Sequence, residues 1–233
     1  MLNYAVNPDL LRPLVPAGTE LDFHAGKTYI SLVGFLFLDT KVMGVPIPFH
    51  RNFEEINLRF YVRGRSPEGQ RRGVVFIREI VPRWAIAAVA RLMYNEKYVA
   101  LPMWHRVEPT RVEYGWHQGT SHNIIHISPF GDAFPAVQGS EEQFITEHYW
   151  GYSAQRGGNA VEYQVTHPAW SIRRAGVARF KGEVASLYGE AFARIVRGQP
   201  TSAFLAEGSP VEVMRGEAIH SNAPAGQPGR VSS

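Results

Sequence analysis

The chain contains no cysteine, which excludes a disulfide scaffold, thiolate chemistry and cysteine-ligated zinc. It also lacks a run of about 18 apolar residues, the length a membrane-spanning helix needs. The longest apolar run, Tyr29–Leu38, is ten residues and includes Ser31 and Gly34. The opening MLNYAVNPDL has neither the charged nor the apolar region of a secretory signal, so the chain reads as soluble and cytoplasmic. Lysine is scarce: only Lys27, Lys41, Lys97 and Lys181 among 24 basic residues. The arginines are scattered, and the net charge is only +3, so no basic stripe marks a nucleic-acid binder. Neither G-x-G-x-x-G, nor a P-loop, nor a G-x-S-x-G nucleophile turn occurs.

What is present is a chain of 233 residues, 45% hydrophobic and 12% aromatic, rich enough in apolar residues for a sizeable core. Residues 7–16 read as a short helical turn capped by Asn7, with Pro8 following. Residues 28–38 are β-branched and aromatic, the composition of a strand buried on both faces. EINLRFYV (55–62) alternates, with Ile56, Leu58, Phe60 and Val62 on one face and Glu55, Asn57, Arg59 and Tyr61 on the other. RGRSPEGQRRG (63–73) has the composition of a hairpin turn before a strand over 74–81, and the Ala-rich 83–93 reads as a helix. Further strands are expected at 98–107, 110–118, 122–128, 149–155, 160–167 and 210–215. Helices are expected at 140–148 and 183–196. The hairpin order predicts one α+β domain over 1–217, built on a curved or closed antiparallel sheet, with 218–233 as a disordered tail.

Three groups of residues bear chemistry. The polar face of 55–62 either looks at solvent or lines an interior; in an interior, Arg59 is suited to gripping a carboxylate bidentately. A buried guanidinium then needs an anionic partner, Glu55 or Glu147. The second group is Tyr94, Asn95, Glu96, Lys97 and Tyr98, where a buried lysine would make a Schiff-base nucleophile and a surface lysine would not. The third, around Glu147, His148, Tyr149, Tyr152, Tyr163, His167 and Trp170, offers a Glu147–histidine acid–base pair or plain cross-strand packing. His122 and His126 are four apart on an expected strand, about 13 Å between sites, too far to share an ion. No metal and no cofactor are expected.

The ordered segments LDFHAGKTYISLVGF, FEEINLRFYV, AIAAVARLMYNEKY, QFITEHYWGY and VEYQVTHPAW resemble domain-of-unknown-function family 2071, itself similar in fold to acetoacetate decarboxylase. The resemblance covers residues 5–215. It implies a strongly curved antiparallel sheet, a cone or partial barrel, with a central cavity and a few flanking helices. Acetoacetate decarboxylases carry a Trp-Gly-Phe-Pro-Lys-Lys-like segment whose first lysine forms the Schiff base and whose second depresses its pKa. The matching stretch here puts Tyr98 and Val99 at the two lysine positions, and no lysine pair occurs anywhere in the chain. The acidic residue that decarboxylases place on the neighbouring strand corresponds to Asn57 or a close neighbour, a second departure.

The expected function is therefore binding of a small anionic or carbonyl-containing ligand in the cavity, without imine chemistry. The expected ligand-binding residues are Asn57, Arg59, Tyr61, Tyr94, Tyr98 and Glu147. The alternatives are a lyase or hydrolase acting through Lys97 or a Glu147–histidine pair, and a structural domain that forms homo-oligomers. Neither a nucleic acid nor a membrane is an expected partner.

Overall fold

The β-rich composition carries through most of the molecule. The computed structural model describes residues 1–39, 41–42, 45–46, 52–66, 69–82, 97–155 and 157–219. Strand β1 (Leu2–Val6) leads through the short helix α1 (Pro8–Leu11) to β2 (Thr19–Leu21) and β3 (Thr28–Phe37). The two-residue strands β4 (Lys41–Val42) and β5 (Val45–Pro46) pair with each other, and two long strands follow, β6 (Phe53–Ser66) and β7 (Gly69–Val81). Next come β8 (Tyr98–Ala100), β9 (Met103–Glu108), β10 (Arg111–Gln118), β11 (Ser121–Pro135) and helix α2 (Glu141–Thr146). Strands β12 (Trp150–Ala154), β13 (Ala160–Thr166) and β14 (Ser171–Lys181) precede the helices α3 (Ala185–Tyr188) and α4 (Glu190–Arg197). The described chain ends with β15 (Ser202–Ala206), β16 (Glu212–Val213) and β17 (Glu217–Ile219).

Apart from β4 and β5, these strands form one fifteen-stranded sheet. Its order is β16-β13-β12-β7-β6-β3-β1-β15-β14-β11-β10-β9, with β17 on β13, β2 on β6 and β8 on β7. Every pairing is antiparallel except those of β7 with β8 and with β12. The α+β reading with a mainly antiparallel sheet holds, but closure does not: β9 and β16 end the order unjoined, and the sheet stays open.

Local signals explain several boundaries. Asn7 Oδ1 accepts from the Asp9 amide at 2.9 Å, and Ser140 Oγ accepts from the Gln143 amide at 3.1 Å, so α1 and α2 both begin at side-chain caps. The 63–73 stretch is not a broad turn. β6 and β7 stay paired to Ser66 and Gly69, because the arginines there find carboxylates on flanking segments: Arg63 with Glu20, Arg71 with Glu162, Arg72 with Asp22. The helix expected over 183–196 is broken at Gly189, whose φ of 82° is left-handed, into α3 and α4. The strand expected at 210–215 shrinks to β16. The helix expected at 83–93 and residue Tyr94 lie outside the described residues.

The period of 2 along β6 builds two different layers. Ile56, Leu58, Phe60 and Val62 face a large core with Leu2, Ile30, Leu32, Ile80 and Trp116, which α3 and α4 cover through Leu187, Phe192 and Val196. The opposite face carries a second cluster, with Tyr29, Val33, Tyr61 and Val74 beneath Phe144 and Ile145 of α2. Among the described residues no helix is long and apolar enough to cross a membrane.

Candidate functional site

The polar face of β6 looks inward. Glu55 and Asn57 are each 2% exposed and Tyr61 1%, while Arg59 is half-buried. Strand pairing places Ser31 of β3 opposite Arg59, and Glu79 of β7 opposite Asn57. Tyr98 of β8 lies beside Glu79 in the parallel pairing. Carboxyl, amide, guanidinium and phenol groups from three neighbouring strands thus share one buried surface.

At one end two carboxyl groups meet. Glu55 Oε1 accepts from Asn57 Nδ2 at 3.3 Å, Glu55 Oε2 accepts from the Tyr98 hydroxyl at 3.3 Å, and the Glu79 side chain is a further hydrogen-bonding partner. Burial pushes the Glu55 carboxyl up to about 7, against the opposing pull of Asn57, Tyr98, Glu79 and the Arg59 charge. Burial likewise raises the Tyr98 phenol well above its ordinary value, reinforced by the charges of Glu55 and Glu79. The pair therefore holds a proton near neutrality, and the phenol stays a donor. Asn57 itself is not acidic, but the carboxyl groups of Glu55 and Glu79 lie two residues before it and across the sheet from it.

Arg59 occupies the middle of the face. Its Nη2 donates to the Ile145 carbonyl of α2 at 3.3 Å, and its guanidinium lies 5.7 Å from the centre of the Tyr61 ring. The expected ion pair with Glu55 or Glu147 is not formed, and Arg59 Nε is buried without a hydrogen-bond partner among the described residues. The reason is that both candidates are engaged elsewhere, Glu55 in the acid pair and Glu147 as acceptor from Gln143 Nε2 at 3.0 Å.

At the far end the hydroxyls of Tyr61 and Ser31 are 2.6 Å apart, and Ser31 Oγ donates to Asn3 Oδ1 at 2.7 Å. Tyr61 also packs against His148, ring centres 4.7 Å apart. His148 Nε2 stands 3.4 Å from Asp22 Oδ2, and Arg72 Nε donates to the same oxygen at 2.7 Å. Burial works to raise the Asp22 carboxyl, but the adjacent His148 and Arg72 side chains win and leave it lowered. Burial pushes the His148 imidazole down to about 4; Asp22 opposes this, while Arg72 and Arg59 add to it, so the ring is neutral at pH 7.

The other positions singled out in the sequence lie apart from this face or serve packing. Lys97 is exposed while its neighbour Tyr98 reaches the acid pair. In the group around Glu147, His148 has a carboxylate beside it, and that is Asp22 rather than Glu147. His167 stacks on Trp170 at 4.1 Å and packs against Tyr149 at 4.9 Å. His126 bonds Glu113 and Ser128, and His122 packs on His117. Neither Asp22 nor Glu79 is among the expected site residues; Asp22 stands between Leu21 and Phe23, an acid set between apolar residues, whereas Glu79 follows Arg78 and carries no such local signal.

These features sit on a widely shared frame. An acetoacetate decarboxylase from Legionella pneumophila is similar with a TM-score of 0.64 at 12% identity, covering 95% of this chain and 84% of that one. The enduracididine biosynthesis enzyme MppR, with HEPES buffer bound, gives 0.63 at 11% identity over 95% and 85% of the two chains. At such identities the likeness speaks for the fold, which is acetoacetate decarboxylase-like. In sequence, the uncharacterised protein YqjF of Bacillus subtilis (strain 168) is 26% identical over 178 residues, 74% of this chain and 71% of that one. The model of the family DUF2071, an uncharacterised conserved protein, matches residues 1–210. With nearly the whole folded body matched, the chain belongs to the DUF2071 family.

Proposed function

We propose that the protein binds a small carboxylate or carbonyl-containing ligand over the polar face of β6, with Arg59 gripping the anion and no imine formed. The observation that carries this reading is Arg59 itself, a half-buried cation whose partner among the described residues is one backbone carbonyl and whose Nε has none there. A desolvated guanidinium gains most from a carboxylate that its fork can meet with two bonds. Tyr98 stands, by the resemblance, at the first lysine position, and it brings a phenol in place of an amine. Its proton, donated to Glu55 Oε2 in the free protein, can turn to a ligand carbonyl oxygen, and Asn57 and Tyr61 line the same face.

The test is a thermal-shift series at pH 7 with acetate, butyrate, 2-oxobutyrate and the uncharged butyramide. A carboxylate at a hundredfold excess over its Kd stabilises by about 2.7 kcal/mol, or roughly 5–10 °C for a chain of this size. Stabilisation by the acids, absent with the amide and lost in Arg59→Met, is the expected result. Acids that leave the melting temperature unmoved would overturn the reading.

A further inference from the structure

We propose that His148, oriented by Asp22, presents its Nδ1 as a hydrogen-bond acceptor to a ligand hydroxyl, so that the anion held by Arg59 is a hydroxycarboxylate. The proposal rests on the carboxylate reading above for the anionic end of the ligand only; the hydroxyl end is carried by other residues.

The imidazole is clamped on every side. Tyr61 and Phe144 pack on its ring, with centres 4.7 and 5.2 Å away. Asp22 Oδ2 faces Nε2 at 3.4 Å, at contact distance but outside hydrogen-bond alignment, and Arg72 fixes that carboxylate from its other side. Asp22 Oδ1 in turn accepts from the Phe23 amide at 2.9 Å, so the carboxylate cannot swing away without losing two bonds. A carboxylate beside Nε2 places the ring proton there, because a lone pair facing the anion would be repelled. The remaining nitrogen, Nδ1, is then an acceptor, and it meets no donor among the described residues although the side chain is 1% exposed. A buried acceptor without a donor carries the full cost of its lost hydration.

The position of this acceptor sets the ligand chemistry. Arg59 and His148 flank the same Tyr61 ring, at 5.7 and 4.7 Å from its centre, and Arg59 bonds α2 three residues before His148. The guanidinium is close enough that its charge helps keep the imidazole neutral. A small molecule that reaches both groups needs an anion at one end and an O–H donor at the other.

Binding of 2-hydroxybutyrate, 3-hydroxybutyrate and butyrate, measured by calorimetry at pH 7, separates the possibilities. One hydrogen bond to Nδ1 makes at least one hydroxy acid bind about tenfold tighter than butyrate. His148→Phe should erase that preference while leaving butyrate affinity unchanged. His148→Asn should restore part of it, since the amide oxygen falls near the place of Nδ1. If wild type binds butyrate and loses it in Arg59→Met, yet shows no hydroxyl preference, this inference fails and the carboxylate reading stands. Failure to bind any of the three acids overturns both. Should His148→Phe not fold, nitrogen-15 NMR of the wild-type imidazole decides. The Nε2-protonated tautomer, with an Nδ1 signal moved by the hydroxy acid and not by butyrate, is expected; an Nδ1-protonated ring overturns the proposal.

Discussion

The two faces of β6 are equally dry and solve dryness in opposite ways. Ile56, Leu58, Phe60 and Val62 are all fully buried and are stabilised by apolar contact alone. One residue along the same strand, Glu55, Asn57 and Tyr61 are as deeply buried yet depend on hydrogen bonds within β6 and with β3, β7 and β8. The apolar face itself carries no polar atom, although the core it enters holds Trp116 Nε1 and the Tyr188 hydroxyl without partners among the described residues. The polar face leaves its own Asn57 Oδ1 and Arg59 Nε without partners among those residues, each at a cost of about 1–3 kcal/mol if fully desolvated. Stability lives on one side of the strand, and the groups of the proposed ligand face live on the other.

The contrast predicts where truncation hurts. Phe60→Ala empties a fully buried site in the large core and should cost about 3–5 kcal/mol in urea denaturation. Tyr61→Phe, one residue along, removes only a hydroxyl and should cost about 1 kcal/mol, because Ser31 keeps its bond to Asn3. Equal losses from the two variants would mean that the faces are not energetically distinct.

The polar face is itself divided, and pH separates its ends. Glu55, raised from its ordinary 4.5 to about 7, binds a proton in the folded chain that the unfolded chain has released. Its contribution therefore makes stability fall as pH rises through that window. His148, lowered from 6.5 to about 4, is neutral in the folded chain while the unfolded chain takes up a proton. Its contribution makes stability rise with pH between those values. Each effect is on the order of 2–3 kcal/mol, and in the wild type they oppose each other between pH 4.5 and 6.5. Denaturation at pH 4.5, 5.5, 6.5 and 7.5 should show a rising profile for Glu55→Gln and a falling one for His148→Phe. Parallel profiles for the two variants would break the division. The lowered Asp22 and Glu113 carboxyls act below this window, where acid removes the stability that their ionised forms supply.

This division was only half legible in the sequence. Alternation over 55–62 reveals a strand with one polar face, but a period of 2 says nothing about which side meets water; that depends on α2, which lies some eighty residues away in the chain. Glu79 was hidden for a different reason. A register shift between Leu58 and Arg59 inserts one extra residue into β7, so strict alternation from Val75 and Ile77 would have put Glu79 in the apolar core. The His148–Asp22 contact joins residues 126 positions apart, beyond any local pattern. Conversely, the caps at Asn7 and Ser140 were readable because the groups that bond lie two or three residues apart. β14 escaped notice because SIRRAGVARFK carries four charged residues and a glycine, and only its place between β11 and β15 makes it a strand.

The smallest stability effect should come from Arg59, the residue on which the proposed binding rests. A paired, buried Arg59 would have cost about 3–5 kcal/mol to remove, through the carboxylate left stranded. In the structure Arg59→Met strands no ion pair; it removes one bond to the Ile145 carbonyl, worth about 0.5–1.5 kcal/mol, and relieves a buried Nε. The methionine chain keeps contact with the Tyr61 ring. The net change in urea denaturation should therefore lie within about 1 kcal/mol of wild type. The variant should also push the Glu55 carboxyl higher still, since the Arg59 charge is one of the influences that hold it down. Carbon-13 NMR of the glutamate carboxyl groups reads that shift directly. A loss of several kcal/mol, with the Glu55 titration unmoved, would mean that Arg59 braces the fold and has no electrostatic reach along the strand.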